Sequence, residues 1–152
     1  MCSPVVTLNG ADVTDEIRSE RVSLASSKIA KYTSVRKKLI DFQRKFSRGH
    51  GLIADGRDMG SVIFPSADLK IFLTASVKVR ANRRYKELIA RGENVSLRDL
   101  ERRIALRDKG DRERKVSPLI AGEGAIVIDA SEKSVNEVKK EIIHIFDFIP
   151  KV

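Results

Sequence analysis

The chain of 152 residues contains a single cysteine, no tryptophan and only 5% aromatic residues. Cys2 alone can form no internal disulfide, and the two histidines, His50 and His144, lie far apart, so no Cys/His cluster has metal-ligand spacing. No apolar run approaches the ~20 residues of a membrane span. Met1-Cys2-Ser3-Pro4-Val5-Val6 has no basic region leading into a long apolar stretch, so no secretory leader is expected. A reduced, cytoplasmic protein is the simplest expectation.

What is present is a core and a strong charge. Hydrophobic residues make up 41% and charged residues 34%, and the formal net charge is +9. The length suits one domain. The positive excess favours anionic partners, whether nucleotides, nucleic acid or acidic membrane surface, and charge alone does not choose among them. The basic residues are spread along the chain and base-stacking aromatics are few, which weighs against a nucleic-acid-binding module.

Patterning predicts an α/β fold with a parallel sheet. Val5–Leu8 reads as a short strand, followed by an Asn9-Gly10 turn in which both residues tolerate positive φ. Thr14 is expected to cap a helix running to about Lys31, with Asp15 and Glu16 complementing its dipole. Thr33 or Ser34 opens a second helix ended by Gly49 and Gly51. Its Val35, Leu39, Phe42 and Phe46 recur at helical spacing, which predicts a buried face. Leu52–Asp55, Leu69–Ala75 and Ala125–Asp129 read as strands, two of them apolar enough to be buried on both faces. Ser76, Ser96 and Ser134 open the intervening and final helices; Asp99 and Glu137 complete capping boxes, and Leu97, Leu100 and Ile104 point inward. In such sheets ligands sit at the carboxyl ends of the strands.

Three clusters carry candidate chemistry. In Asp55-Gly56-Arg57-Asp58-Met59-Gly60 two carboxylates flank an arginine, with a glycine at each end of the Arg-Asp-Met core. The arginine there can hold a phosphate bidentately, and Asp55 can accept from a magnesium-bound water; the same residues can equally form an Asp-Arg pair that tightens a turn. Arg107, Asp111 and Arg114 share a helix face with Arg103 if the helix continues through Gly110. That stripe can grip a sugar and a phosphate, or be a solvated face laced by ion pairs. Arg80, Arg83 and Arg84 oppose the dipole at a helix start, which suits a nearby triphosphate or simple solvation.

Taken in order, Leu52–Gly60, Leu69–Ala75 and Arg107–Arg114 with Pro118-Leu119 resemble bacterial cytidylate kinase, from about Val5 to the last helix. The resemblance implies a nucleoside-monophosphate-kinase fold, a parallel sheet wrapped by helices. Residues 1–48 would form a monophosphate-binding insert, 49–75 and 125–152 the core, and 76–114 a stretch including the lid. It implies transfer of the ATP γ-phosphoryl group to CMP or dCMP with Mg²⁺. Ser27, Arg36 and Asp58 match positions around the cytosine ring. Arg57 matches one near the acceptor phosphate. Arg107 and Asp111 match positions facing the sugar, and Arg114 one close to the nucleotide. Arg84, with Arg80 and Arg83, matches lid arginines that neutralise the transferring group. No direct metal ligand is implied, only Asp55 through water.

The family's phosphate loop, G-x-x-x-x-G-K-[ST], has no counterpart in these residues, where no Gly precedes a Lys. The family's first strand is not matched either. The 152 residues alone are therefore expected to be inactive as a kinase, with CMP binding lacking catalysis as the alternative. An uncovered sheet edge would favour self-association.

Overall fold

The computed structural model describes residues 5–47 and 51–149. The chain divides into two units, Met1–Gln43 and Arg44–Val152.

The first unit opens on a hairpin. Strands β1 (Thr7–Leu8) and β2 (Ala11–Asp12) pair antiparallel around Asn9 and Gly10, at φ 51° and 83°. Positive φ at both central residues matches the right-handed strand twist, which is why Asn-Gly belongs here. Thr14 does not cap a helix; its Oγ1 accepts from the Val6 amide at 2.8 Å. A 3₁₀ turn at Glu16–Arg18 intervenes, and helix α1 (Glu20–Ile29) starts later than expected, with Ser19 Oγ accepting from the Val22 amide at 3.4 Å. A hydroxyl consumed by the hairpin is not available to a helix N-terminus.

Helix α2 (Thr33–Arg44) begins where predicted and passes into a 3₁₀ turn at Lys45–Ser47. The expected stop at Gly49 lies outside the described residues, as do Cys2 and His50. Its apolar face is not buried: Leu39, Phe42 and Phe46 are all exposed. The helical period is right, but these side chains stay largely in solvent.

In the second unit, β3 (Ile71–Thr74) and β4 (Ile126–Asp129) form a parallel pair in register Ile71 to Ile126. Helices α3 (Val77–Ala90) and α4 (Leu97–Glu113) lie between them in sequence, and α5 (Val135–Asp147) follows. Ser76, Ser96 and Ser134 cap them as expected, and at α5 both halves of the Ser134–Glu137 box are present. The core sits between α3 and α4, where Ala81, Leu88 and Leu100 are buried beneath Tyr85, Val95, Leu97 and Ile104. Each buried leucine contributes about 2 kcal/mol.

Two strand expectations fail. Leu52–Asp55 has no regular secondary structure and forms no ladder, and Ile53 is 99% exposed. A strand exists only with a partner, and none of the described residues supplies one. Nor are the apolar strands buried on both faces: Leu73 and Val127 are exposed, and only Ile128 is fully enclosed. A two-stranded sheet has too few neighbours to cover both sides.

Candidate active site

The site is built where the Gly56–Gly60 loop meets α4. After the loop, the backbone does not resume an α-helix but forms a π turn, Met59–Ile63. The amides of Val62 and Ile63 both donate to the Asp58 carbonyl, and Phe64 donates to Met59. Such single π turns are rare and frequent at functional sites. Ile63 anchors this one, being almost wholly buried. Arg44 donates to its last carbonyls, Val62 at 3.1 Å and Ile63 at 2.8 Å. Gly122 fixes the loop from the other side: a Cβ there would lie 2.5 Å from the Gly60 carbonyl oxygen.

Helix α4 continues through Gly110 to Glu113 and carries Arg107, Asp108 and Asp111, while Arg114 follows as its C-cap in extended backbone. Asp108 and Asp111 are 5% and 6% exposed, and the carboxylates are interleaved with guanidinium groups. Arg80 Nη2 meets Asp108 Oδ2 at 2.5 Å, and Arg57 Nη1 lies 3.4 Å from Asp108 Oδ1. The same Arg57 nitrogen lies 2.5 Å from Asp111 Oδ2, and Asp111 Oδ1 is 3.4 Å from Arg114 Nη1. Arg107 Nε stands 3.9 Å from Asp111 Oδ2. Arg114 Nε also donates to the carbonyl of Ser117, which has φ 51°.

Taking two carboxylates out of water costs several kcal/mol each, and only close cations offset that. Arg107 feels the reverse: burial lowers its pKa first, and the charge of Arg57 lowers it further, against the pull of Asp111 and Asp108. Four arginines around two carboxylates leave a local excess of positive charge, which suits an anion that can join the network.

The structure brings Arg57, Asp58, Arg107, Asp111 and Arg114 into one unit, with Asp58 buried just after Arg57. Asp55 is exposed at the loop's start. The three arginines at the start of α3 divide among different partners. Arg80 joins the network, Arg83 donates to the carbonyls of Ala130 at 2.6 Å and Lys133 at 3.1 Å, and Arg84 pairs with Glu87 at 2.7 Å. Ser27 stands on α1 of the first unit, and Arg36 on α2, where its Nη1 donates to the Ala30 carbonyl at 3.2 Å. Sequence reasoning missed Asp108, although its place three residues before Asp111 on one helix put it within reach of the same face.

These residues fall within a match to the cytidylate kinase family model that spans residues 2–147. The chain belongs to the cytidylate kinase family. Cytidylate kinases from Nitrosococcus oceani, Dichelobacter nodosus and Methylococcus capsulatus are 47%, 46% and 50% identical over 91%, 94% and 88% of the chain. The chain spans 61%, 66% and 60% of those relatives' own lengths. The family membership agrees with the mixed α/β architecture and its parallel strand pair. Among the described residues, no helix is long and apolar enough to cross a membrane, and no group of three or more His, Cys, Asp or Glu could hold a metal ion.

Proposed function

We propose that the protein carrying this sequence transfers the γ-phosphoryl group of ATP to CMP or dCMP, giving CDP or dCDP, and that these residues build its acceptor side. The observation that carries the reading is the Arg57–Asp111–Arg114 cluster. A buried carboxylate stands between two arginines, where the Gly56–Gly60 loop meets α4.

In this reading Arg57 holds the acceptor phosphate as a charge-assisted fork. Arg107 and Asp111 face the sugar, the carboxylate accepting from a hydroxyl, and Arg114 steadies Asp111. Asp58, with Ser27 and Arg36, reads cytosine: carboxylate and hydroxyl accept from the exocyclic amine, and the guanidinium donates to N3 and O2. Arg84, with Arg80 and Arg83, supplies positive charge toward the transferring group and the ATP phosphates. No nucleophilic side chain is required, because catalysis of this reaction is positioning plus charge neutralisation.

The donor set fits magnesium only as a hydrated ion brought by nucleotide phosphates, since one exposed carboxylate, Asp55, stands at the loop. Asp55 would hold it through water. When bound, the ion neutralises the oxygens between which the phosphoryl group passes.

Residues 1–152 contain no phosphate loop of the G-x-x-x-x-G-K-[ST] type. We therefore read them, taken alone, as holding CMP without placing ATP, and so as turning over little. In this reading exposed Leu73 and Val127 favour self-association of residues 1–152. We read the protein as cytoplasmic.

The test is a substrate panel on the full-length protein: ATP-dependent phosphorylation of CMP, dCMP, UMP and AMP. CMP and dCMP should be preferred. Equal use of UMP or AMP, or no turnover of CMP, would refute the reading.

A further inference from the structure

Arg57 is gripped from one side only. Both carboxylate contacts, Asp108 Oδ1 at 3.4 Å and Asp111 Oδ2 at 2.5 Å, fall on Nη1. Among the described residues, no carboxylate or carbonyl engages Nη2 or Nε of this residue. Its side chain keeps 33% exposure, against 7% and 8% for the two aspartates. The buried edge of the guanidinium is therefore fixed, and the solvent edge keeps N–H groups in the planar arrangement that takes two oxygens at once.

Asp108 is buried, with both of its oxygens facing arginines. Its other oxygen, Oδ2, is taken by Arg80 at 2.5 Å, and Arg80 is itself tied by Nε to the Ala75 carbonyl at 2.9 Å. Ala75 directly follows β3, so the carboxylate is referenced to the end of the sheet. The chain β3 end, Arg80, Asp108, Arg57 converts a rigid strand terminus into the placement of one guanidinium.

We infer that Asp108 is a positioning residue for the acceptor phosphate: through Arg80 and the Ala75 carbonyl it anchors the inner edge of Arg57, so that the outer edge meets the phosphate preformed. Asp108 touches no substrate. The inference rests on the CMP reading, and it adds a residue which that reading does not need. It distinguishes Asp108 from Asp111, whose neighbours are all on the loop or on α4 and its exit.

The experiment uses the full-length protein and compares binding of CMP with that of cytidine, which lacks the phosphate. A general structural defect weakens both, whereas a misplaced Arg57 weakens CMP alone. Asp108→Asn, which keeps shape and loses charge, should weaken CMP about tenfold and leave cytidine within about twofold, the scale of one charge-assisted contact. Adding Asp108→Asn to Arg57→Ala should cost nothing beyond Arg57→Ala itself. If the Asn variant does not fold, Asp108→Glu takes its place, and a CMP-specific loss of about threefold is expected from displacing a retained charge. Equal weakening of CMP and cytidine, no weakening of CMP, or additive losses in the double variant would each overturn the role of Asp108. A normal CMP affinity in Arg57→Ala would instead overturn the acceptor-phosphate reading, and the inference with it.

Discussion

Arg57 Nη1 lies 2.5 Å from Asp111 Oδ2, joining the Gly56–Gly60 loop to a helix far along the chain. Asp111 is 6% exposed and also faces Arg114, whose side chain is itself only 10% exposed. Removing the carboxylate takes an anionic partner from both cations, leaving Arg57 with Asp108 and Arg114 with the Ser117 carbonyl. Asp111→Ala should lower stability by about 3 kcal/mol, as for other broken buried pairs. Urea unfolding measures this directly; a change below about 0.5 kcal/mol would mean that the pair is solvated.

Two glycines should respond in opposite directions. Gly122→Ala places a Cβ 2.5 Å from the Gly60 carbonyl oxygen, a backbone atom that cannot swing away. The loop must shift, at a cost of about 2 kcal/mol. Gly110 lies inside α4, and a Cβ there meets nothing within 4 Å. Gly110→Ala should raise stability by about 1 kcal/mol through helix propensity. Thermal unfolding of both variants checks the contrast, and equal shifts would contradict the packing described.

Base choice should depend on Asp58. A carboxylate suits the amino group of cytosine and not the carbonyl at the same place in uracil. Asp58→Ala should lose more activity with CMP than with UMP, narrowing their ratio. Competing the two nucleotides in one assay gives that ratio, and an unchanged value would show that Asp58 does not read the base.

Acid should loosen the fold through its caps. Hydrogen bonds from Ser134 hold the Glu137 carboxyl below its ordinary 4.5, as Ser131 does for Asp129 and Thr14 for Asp12. A depressed folded-state pKa gives stability that is present above the ordinary value and lost as pH falls through the depressed one. Glu137→Gln should therefore flatten the fall of stability below the ordinary carboxylate range while leaving its slope near neutrality unchanged. Denaturation midpoints across the acid range test this, and a parallel fall in both proteins would rule out the box as its source.

Local chemistry made much of this legible. Asn9-Gly10 announces its hairpin, and Ser76, Ser96 and Ser134 announce their helices, because each signal acts within a few residues. Thr14 misleads because its hydroxyl accepts instead from the Val6 amide, eight residues back across the hairpin. Leu52–Asp55 and the face of Leu39 and Phe42 fail differently. Their patterns are sound, but strand and burial both require a partner that the pattern does not contain. In the site, Arg57 and Asp111 stand out by motif and spacing, whereas the π turn and the clamp at Asp108 arise from tertiary packing.

The most direct measurement is the catalytic efficiency of Arg57→Ala in the full-length protein, with CMP varied at saturating ATP and Mg²⁺. If Arg57 holds the acceptor phosphate, kcat/KM should fall about 10²-fold or more, the scale of losing one preorganised charge donor. Activity within about twofold of the parent would contradict the account, because a difference that small leaves no room for a charge-assisted contact in the transition state.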